Sequence, residues 1–233
     1  MIKPQIIFKH LEKEFLKYAD RVKARAKQQY MKSTMPFFGI SLPDIKKVSK
    51  PIFKTFAPEN NQEYRDTLLY LFENAKQREF WYAGVTYALR FKTFITQENI
   101  DLYVKIIRIT QWWDIVDMFA SNLVGTSLLD TKSMHMYANK WIGDDDMWVR
   151  RTALIFQLKY KSKTDFDLLT RLILLVAHEK EFFIRKATGW ALREYSKTNP
   201  TAVKDFIEFN KEVLSGLSIR EGLKVINRVA NLN

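Results

Sequence analysis

Asp117 stands four residues after Trp113. In a helix that spacing puts the carboxylate and the indole on one face, while Asp114 is rotated away. Trp190 and Arg193 form a second pair at i,i+3, with Lys186 one turn earlier and Arg151 between the two groups. An indole face attracts positive charge, by about 0.5–2 kcal/mol. A partly desolvated carboxylate attracts it more strongly, because low dielectric enlarges the Coulomb energy. Arg and Lys attract phosphate. The set therefore suits a ligand that is cationic at one point and anionic along its length. Tyr30, in the basic segment RVKARAKQQYMK, could close the other end. Each residue alone has a plainer reading: the Trp residues as core, the arginines as surface, and Asp117 as an ion-pair partner of Arg151.

Such a set needs elements that repeat in register. Apolar residues recur at helical spacing nearly everywhere: Ile6, Ile7, Leu11, Phe15 and Leu16; then Leu68, Leu69, Leu71 and Phe72; then Leu154, Ile155 and Leu158; then Leu168, Leu169, Leu172 and Leu175. No segment alternates convincingly with period two, and no Asn-Gly or Asp-Gly turn is present. Short breaks fall near 34–41, 57–61, 92–96, 143–146, 161–164 and 198–200, with Asn61 read as a plain helix cap. Pro51, inside a helical run, marks a kink or a helix start. Asp144–Asp146 reads as a loop before a helix.

Aromatic residues open helices at Phe80, Trp113, Trp148 and Phe183, separated by 33, 35 and 35 residues. WVRRTALIFQLKY (148–160) and FIRKATGWALREY (183–195) align: an aromatic, a basic pair, then an apolar face ending in Tyr. Helical units of this period stack because no single pair buries its own apolar face. The expected fold is all-α, a right-handed superhelical array of HEAT-like helical hairpins around a concave basic groove. Residues 1–233 form one domain in this reading. Phe37, Phe38, Phe156, Phe182 and Phe183 are assigned to the core. A compact irregular helical domain with coincidental spacing is the alternative.

Composition narrows the chemistry. The chain has 233 residues and no cysteine, which removes disulfides, thiolate catalysis and cysteine-bound zinc. Its three histidines, His10, His135 and His178, are too dispersed for a histidine-rich metal centre. Lys+Arg 38 against Asp+Glu 26 gives +12, and residues 1–60 supply +8 of it. The usual partner of such an excess is a polyanion, most often nucleic acid. The longest apolar run near the C-terminus, Leu172–Ala177, is far short of the roughly 20 residues a membrane span needs. Charge enters the N-terminal segment too early for a signal peptide. The expectation is a cytoplasmic monomer with no membrane contact.

A ligand cationic at one base and anionic along its backbone is alkylated DNA. A 3- or 7-alkylpurine carries the positive charge and the phosphates carry the negative. From about Tyr30 to Arg220 the chain resembles the DNA alkylation repair enzymes of the AlkD type, HEAT-like-repeat DNA glycosylases. The resemblance is clearest in YMKSTMPFFGISLPDIKK (30–47), WWDIVDMF (112–119), WVRRTALIFQLKYK (148–161) and EFFIRKATGWALREYSKTNP (181–200). It implies excision of 3-methyladenine and 7-methylguanine from duplex DNA with no cofactor and no metal. Matched by position, Asp117 is the catalytic carboxylate, with Trp113 and Trp190 facing the cation. Tyr30 is then the lesion-proximal tyrosine, and Arg151 and Arg193 the groove arginines that hold the backbone. Lys186 joins them as a DNA contact. Arg150 has no counterpart in this match.

The implied chemistry is hydrolysis of the N-glycosidic bond. The alkylated purine is already a good leaving group, so Asp117 has only to stabilise charge developing on the deoxyribose and to orient water. The resemblance also implies that the lesion is not turned into a pocket, unlike the usual base-flipping scheme. Two other classes stay open: a non-catalytic DNA-binding helical-repeat protein, and a scaffold for an acidic protein partner.

Overall fold

A computed structural model describes residues 3–230, with side-chain surroundings for residues 3–228. Among the described residues the chain is helical and has no strand, and no helix is long and apolar enough to cross a membrane. It divides into two compact units, residues 1–110 and 111–233.

The first unit holds α1 (Lys3–Lys17), α2 (Arg21–Met31), α3 (Leu42–Thr55), α4 (Asn61–Glu73), α5 (Arg78–Arg90) and α6 (Ile100–Thr110). Polar caps start three of them. Asp20 accepts from the N–H groups of Val22 and Lys23, Ser41 from that of Asp44, and Asn60 from that of Glu63. The cap of α4 is thus Asn60, one residue before the expected Asn61. The helix α3 runs on through Pro51, and its start is fixed by Ser41, so Pro51 is not a start. Pro51 is exposed there, among Lys50, Lys54 and Thr55 on the solvent side. Helix α1 packs on α3 and α4, α3 on α5, and α4 on α5 and α6. Phe8 of α1 stacks on Phe80 of α5 at 4.0 Å between ring centres.

One buried carboxylate organises the loop between α2 and α3. Glu79, fully buried, accepts from the backbone N–H of Phe38 at 2.9 Å, Gly39 at 2.9 Å and Ile40 at 3.1 Å. Gly39 has φ +91, and a Cβ there would lie 2.1 Å from the carbonyl oxygen of Asp20. Only glycine allows this loop to close onto the first turn of α2. Lys27 of α2 donates to the carbonyl of Ile40, and burial pulls its ammonium below the ordinary lysine value. Helix α2 buries only Met31, so these polar ties fix its position.

The second unit holds α7 (Trp113–Met118), α8 (Gly125–Leu128), α9 (Met134–Ile142), α10 (Met147–Ile155), α11 (Phe166–Leu175), α12 (Phe182–Tyr195), α13 (Pro200–Phe209) and α14 (Gly216–Ala230). A π-helical stretch, Phe119–Val124, joins α7 to α8. Within it the Ser121 hydroxyl donates to the Asp117 carbonyl at 2.7 Å and the Asn122 amide to the Met118 carbonyl at 3.0 Å. Side chains bonded back one turn compete with the helical ladder and widen it. Asp146, last of the acidic run, caps α10; Asp165 and Asn199 cap α11 and α13.

Helix α9 packs on α10 and α13 on α14, while α11 packs on α10 and α13 also on α12. Helices α7, α10, α12 and α14 pack successively as one row, and α9 packs on α11 in the other. This is a helical repeat array. The helix-opening aromatics fall in the first turns of α5, α7, α10 and α12, as their spacing predicts. One core assignment near them changes: Phe182 is 57% exposed, and two residues of the expected apolar stripes, Leu16 and Leu175, are exposed as well. Neighbouring residues on a helix point about 100° apart, so Phe183 turns inward and Phe182 does not. On α1 the buried stripe is Pro4, Ile7, Phe8, Leu11 and Phe15.

Candidate active site

Asp117 lies on the last turn of α7, and Arg151 on α10 reaches it with a two-bonded fork. Arg151 Nε donates to Asp117 Oδ1 and Nη2 to Oδ2, both at 2.8 Å. The remaining Nη1 donates to the carbonyl of Phe183 on α12 at 2.6 Å. One guanidinium therefore ties three successive helices of the row. Its carbon also sits 5.9 Å from the Phe183 ring centre. Arg151 is only 3% exposed, whereas the Asp117 side chain keeps 14%.

The pairing proposed for Asp117 as its plainer reading is therefore present. It changes what Arg151 can do. The expected groove arginine has its donors turned into the protein and no open face for a phosphate. Asp117 differs: a carboxylate has about four lone-pair sites, and the fork uses one on each oxygen. Burial pushes its carboxyl above the ordinary value, opposed by the guanidinium and reinforced by Asp114. The carboxylate is thus poorly hydrated and fixed in direction, which magnifies its attraction for a nearby cation.

Trp113, one turn before Asp117 on α7, is half-buried, and so is Trp190 on α12. Neither is absorbed into the core as Trp148 and Trp141 are. Trp112, Trp148 and Phe183 form a cluster with ring centres 4.8–6.0 Å apart. Each such pair is worth about 0.5–1.5 kcal/mol beyond its burial. The indole N–H of Trp112 is buried with no hydrogen-bond partner.

Lys186 and Arg193 share a partner. Lys186 Nζ lies 2.7 Å from Glu221 Oε1, and Arg193 Nη1 bonds Glu221 Oε2. Glu221 belongs to α14, which presses closely on α12. A Cβ at Gly189 would sit 2.5 Å from the Glu221 Cβ and 2.9 Å from the Ser218 carbonyl oxygen. The two cations hold the Glu221 carboxyl below its ordinary value, Lys186 foremost. Both remain partly exposed, the lysine more so. Trp190 lies between them on the same side of α12. Arg150 forks onto Glu179, with two bonds of 2.9 Å, and binds the carbonyls of Asp144 and Asp145. Tyr30 belongs to the first unit and is 78% exposed on α2.

Glu79, Glu221 and Glu179 went unnoticed in the sequence because a glutamate destined for burial has no local mark. Each partner lies 28–41 residues away.

An all-helical repeat array with a fixed, half-shielded carboxylate one helical turn from a half-buried indole defines the class, a helical-repeat protein. The sequence profile of the DNA alkylation repair enzymes matches residues 11–226. The chain belongs to the DNA alkylation repair enzyme family. Among solved structures it is similar to a predicted DNA alkylation repair enzyme from Enterococcus faecalis. The TM-score is 0.78 at 31% identity, over 88% of this chain and 95% of that one. No curated protein matches it.

Proposed function

We propose that this protein is a monofunctional DNA glycosylase that hydrolyses the N-glycosidic bond of positively charged alkylpurines, 3-methyladenine and 7-methylguanine, in duplex DNA. The observation that carries this reading is the Asp117 carboxylate. It is mostly buried, aimed by the Arg151 fork and set one helical turn from a half-buried indole. The whole chain acts as one HEAT-like-repeat domain, as a cytoplasmic monomer.

The chemistry follows from charge. As the C–N bond lengthens, positive charge passes from the purine to the deoxyribose. Asp117 stabilises that charge with a lone pair the fork leaves free, and orients water toward the anomeric carbon. Trp113 and Trp190 stabilise the same charge through their faces. Tyr30 stands near the lesion. Arg193 and Lys186 hold phosphates. Arg151 acts through Asp117, as a positioning residue. No covalent enzyme intermediate is needed, so the product is an abasic site in an uncut strand. Since catalysis relies on a leaving group already cationic, neutral lesions such as uracil are poor substrates.

A second reading rests on the same fork. If the Asp117–Arg151 pair only holds α7 to α10, the protein binds DNA without cutting it. Incubation with methylated duplex and chromatography of freed bases decides. Release of 7-methylguanine without strand cleavage supports the glycosylase. Binding without release supports the second reading.

A further inference from the structure

Helix α14 carries Arg220, Lys224 and Arg228, and Glu221 is its only acidic residue. That one carboxylate engages both of the α12 cations assigned to phosphate. Lys186 Nζ lies 2.7 Å from its Oε1, and Arg193 Nη1 bonds its Oε2. Gly189 makes the contact possible. It stands three residues after Lys186 and four before Arg193, so all three share one face of α12. With no Cβ at Gly189, the base of Glu221 settles onto the helix there. Lys224, one turn along α14, adds to the positive field around the carboxylate.

The contact differs in kind from the Asp117–Arg151 fork. Arg151 is 3% exposed and uses three donors on protein oxygens. The side chains of Lys186 and Arg193 keep 38% and 24% exposure. Among the described residues Glu221 is the only side chain that either one bonds. Each has donors to spare, since an ammonium carries three and a guanidinium five. Partly exposed ion pairs of this kind are weak and are screened by salt. An incoming phosphate can therefore take the place of Glu221, whereas nothing from outside reaches the donors of Arg151.

We infer that Glu221 is an internal competitor for the DNA backbone: it occupies Lys186 and Arg193 in the free protein, yields them to phosphates on binding, and so limits how tightly undamaged duplex is held. The inference rests on the reading of these two cations as phosphate contacts. A carboxylate and a phosphate share the sign of their charge and accept from the same Arg and Lys donors. One negative charge beside two cations cancels half of their attraction for a strand. Contacts that read only phosphate cannot tell intact from damaged DNA. Weakening them favours release from the intact duplex that such a protein meets almost everywhere.

The test uses the full chain and a short unmodified duplex, with affinity measured by anisotropy across a salt series. Glu221→Gln is compared with Glu208→Gln, which removes the same charge from an exposed carboxylate paired with Lys211. Glu221→Gln should bind about threefold to tenfold more tightly in low salt, the combined strength of two partly exposed ion pairs. Its slope of log K against log salt should steepen by about 0.9, for one further phosphate neutralised. Glu208→Gln should stay within about twofold of wild type. Lys186→Gln/Arg193→Gln should bind more weakly than wild type, and adding Glu221→Gln to it should change nothing. Glu221→Asp keeps the charge but draws it back by one methylene. It should fall between wild type and Glu221→Gln, and it decides alone if the glutamine variant does not fold. Unchanged or weaker binding by Glu221→Gln, an equal gain in Glu208→Gln, or a gain that survives loss of both cations overturns the inference. If Lys186→Gln/Arg193→Gln binds as tightly as wild type, the reading of those cations as phosphate contacts fails, and the inference falls with it.

Discussion

Arg151 holds both carboxylate oxygens of Asp117 at 2.8 Å while its third bond goes to the backbone of Phe183. The aim of the carboxylate and the packing of three helices thus depend on one side chain. Removing a single member of a buried pair strands the other charge, at a cost of about 3–5 kcal/mol. Arg151→Ala should lower stability in urea by that order. Asp117→Asn/Arg151→Met should be less destabilised than the two single changes predict together, because the stranded charge is gone. Strict additivity would show that the pair is not coupled.

Glu79 gives a sharper test of the first unit. Its carboxylate serves three buried N–H groups of the 38–40 loop. Hydrogen bonds to charged groups contribute about 1.5–3 kcal/mol each, and orphaned buried donors cost as much. Glu79→Ala should destabilise by more than about 3 kcal/mol, with Glu79→Gln intermediate, since an amide keeps one acceptor. Urea unfolding of both variants checks the order, and a loss under about 1 kcal/mol for the alanine would contradict it.

The two carboxylates of the second unit should leave opposite marks on acid stability. Glu221 is held below its ordinary 4.5 by Lys186 and Arg193. Its stabilisation is complete above 4.5 and fades as pH falls through the lowered value. Asp117 is pushed above its ordinary 3.8 by burial. Its contribution runs the other way, complete below 3.8 and fading as pH rises through the raised value. The stability difference between wild type and Glu221→Gln should shrink on acidification. That between wild type and Asp117→Asn should change with the opposite sign just above 3.8. Urea midpoints across the acid range measure both.

Gly189 is where α12 and α14 meet most closely. With the Glu221 Cβ and Ser218 carbonyl so near, Gly189→Ala must push α14 outward. Overpacking of this kind costs about 1–3 kcal/mol. The change should also loosen the Glu221 bonds to Lys186 and Arg193. A variant as stable as wild type would mean that α14 moves freely.

The helical class and its repeat were legible because apolar spacing and the aromatics at 80, 113, 148 and 183 are set by local geometry. The Asp117–Arg151 pairing was legible as an alternative, since the two residues stand one repeat apart. The facing of adjacent like residues was not. Arg150 and Arg151 read alike, yet Arg151 points inward with Trp148, Thr152 and Ile155 while Arg150 ties the preceding loop to Glu179. Phe182 and Phe183 divide in the same way. Which member of such a pair turns inward depends on the neighbouring hairpin, and that information lies about 30 residues away in the chain. Glu79 and Glu221 escaped for the same reason: only partners distant in sequence distinguish a buried carboxylate from a solvated one.

The most direct test is single-turnover release of 7-methylguanine from a methylated duplex by wild type and by Asp117→Asn, each at saturating protein. Removing a preorganised charge that acts on the transition state costs about 10²–10³ in rate. Wild type should free the base, and the variant should bind the duplex with similar affinity yet free it at least a hundredfold more slowly. A folded Asp117→Asn protein that releases the base at the wild-type rate would contradict the account.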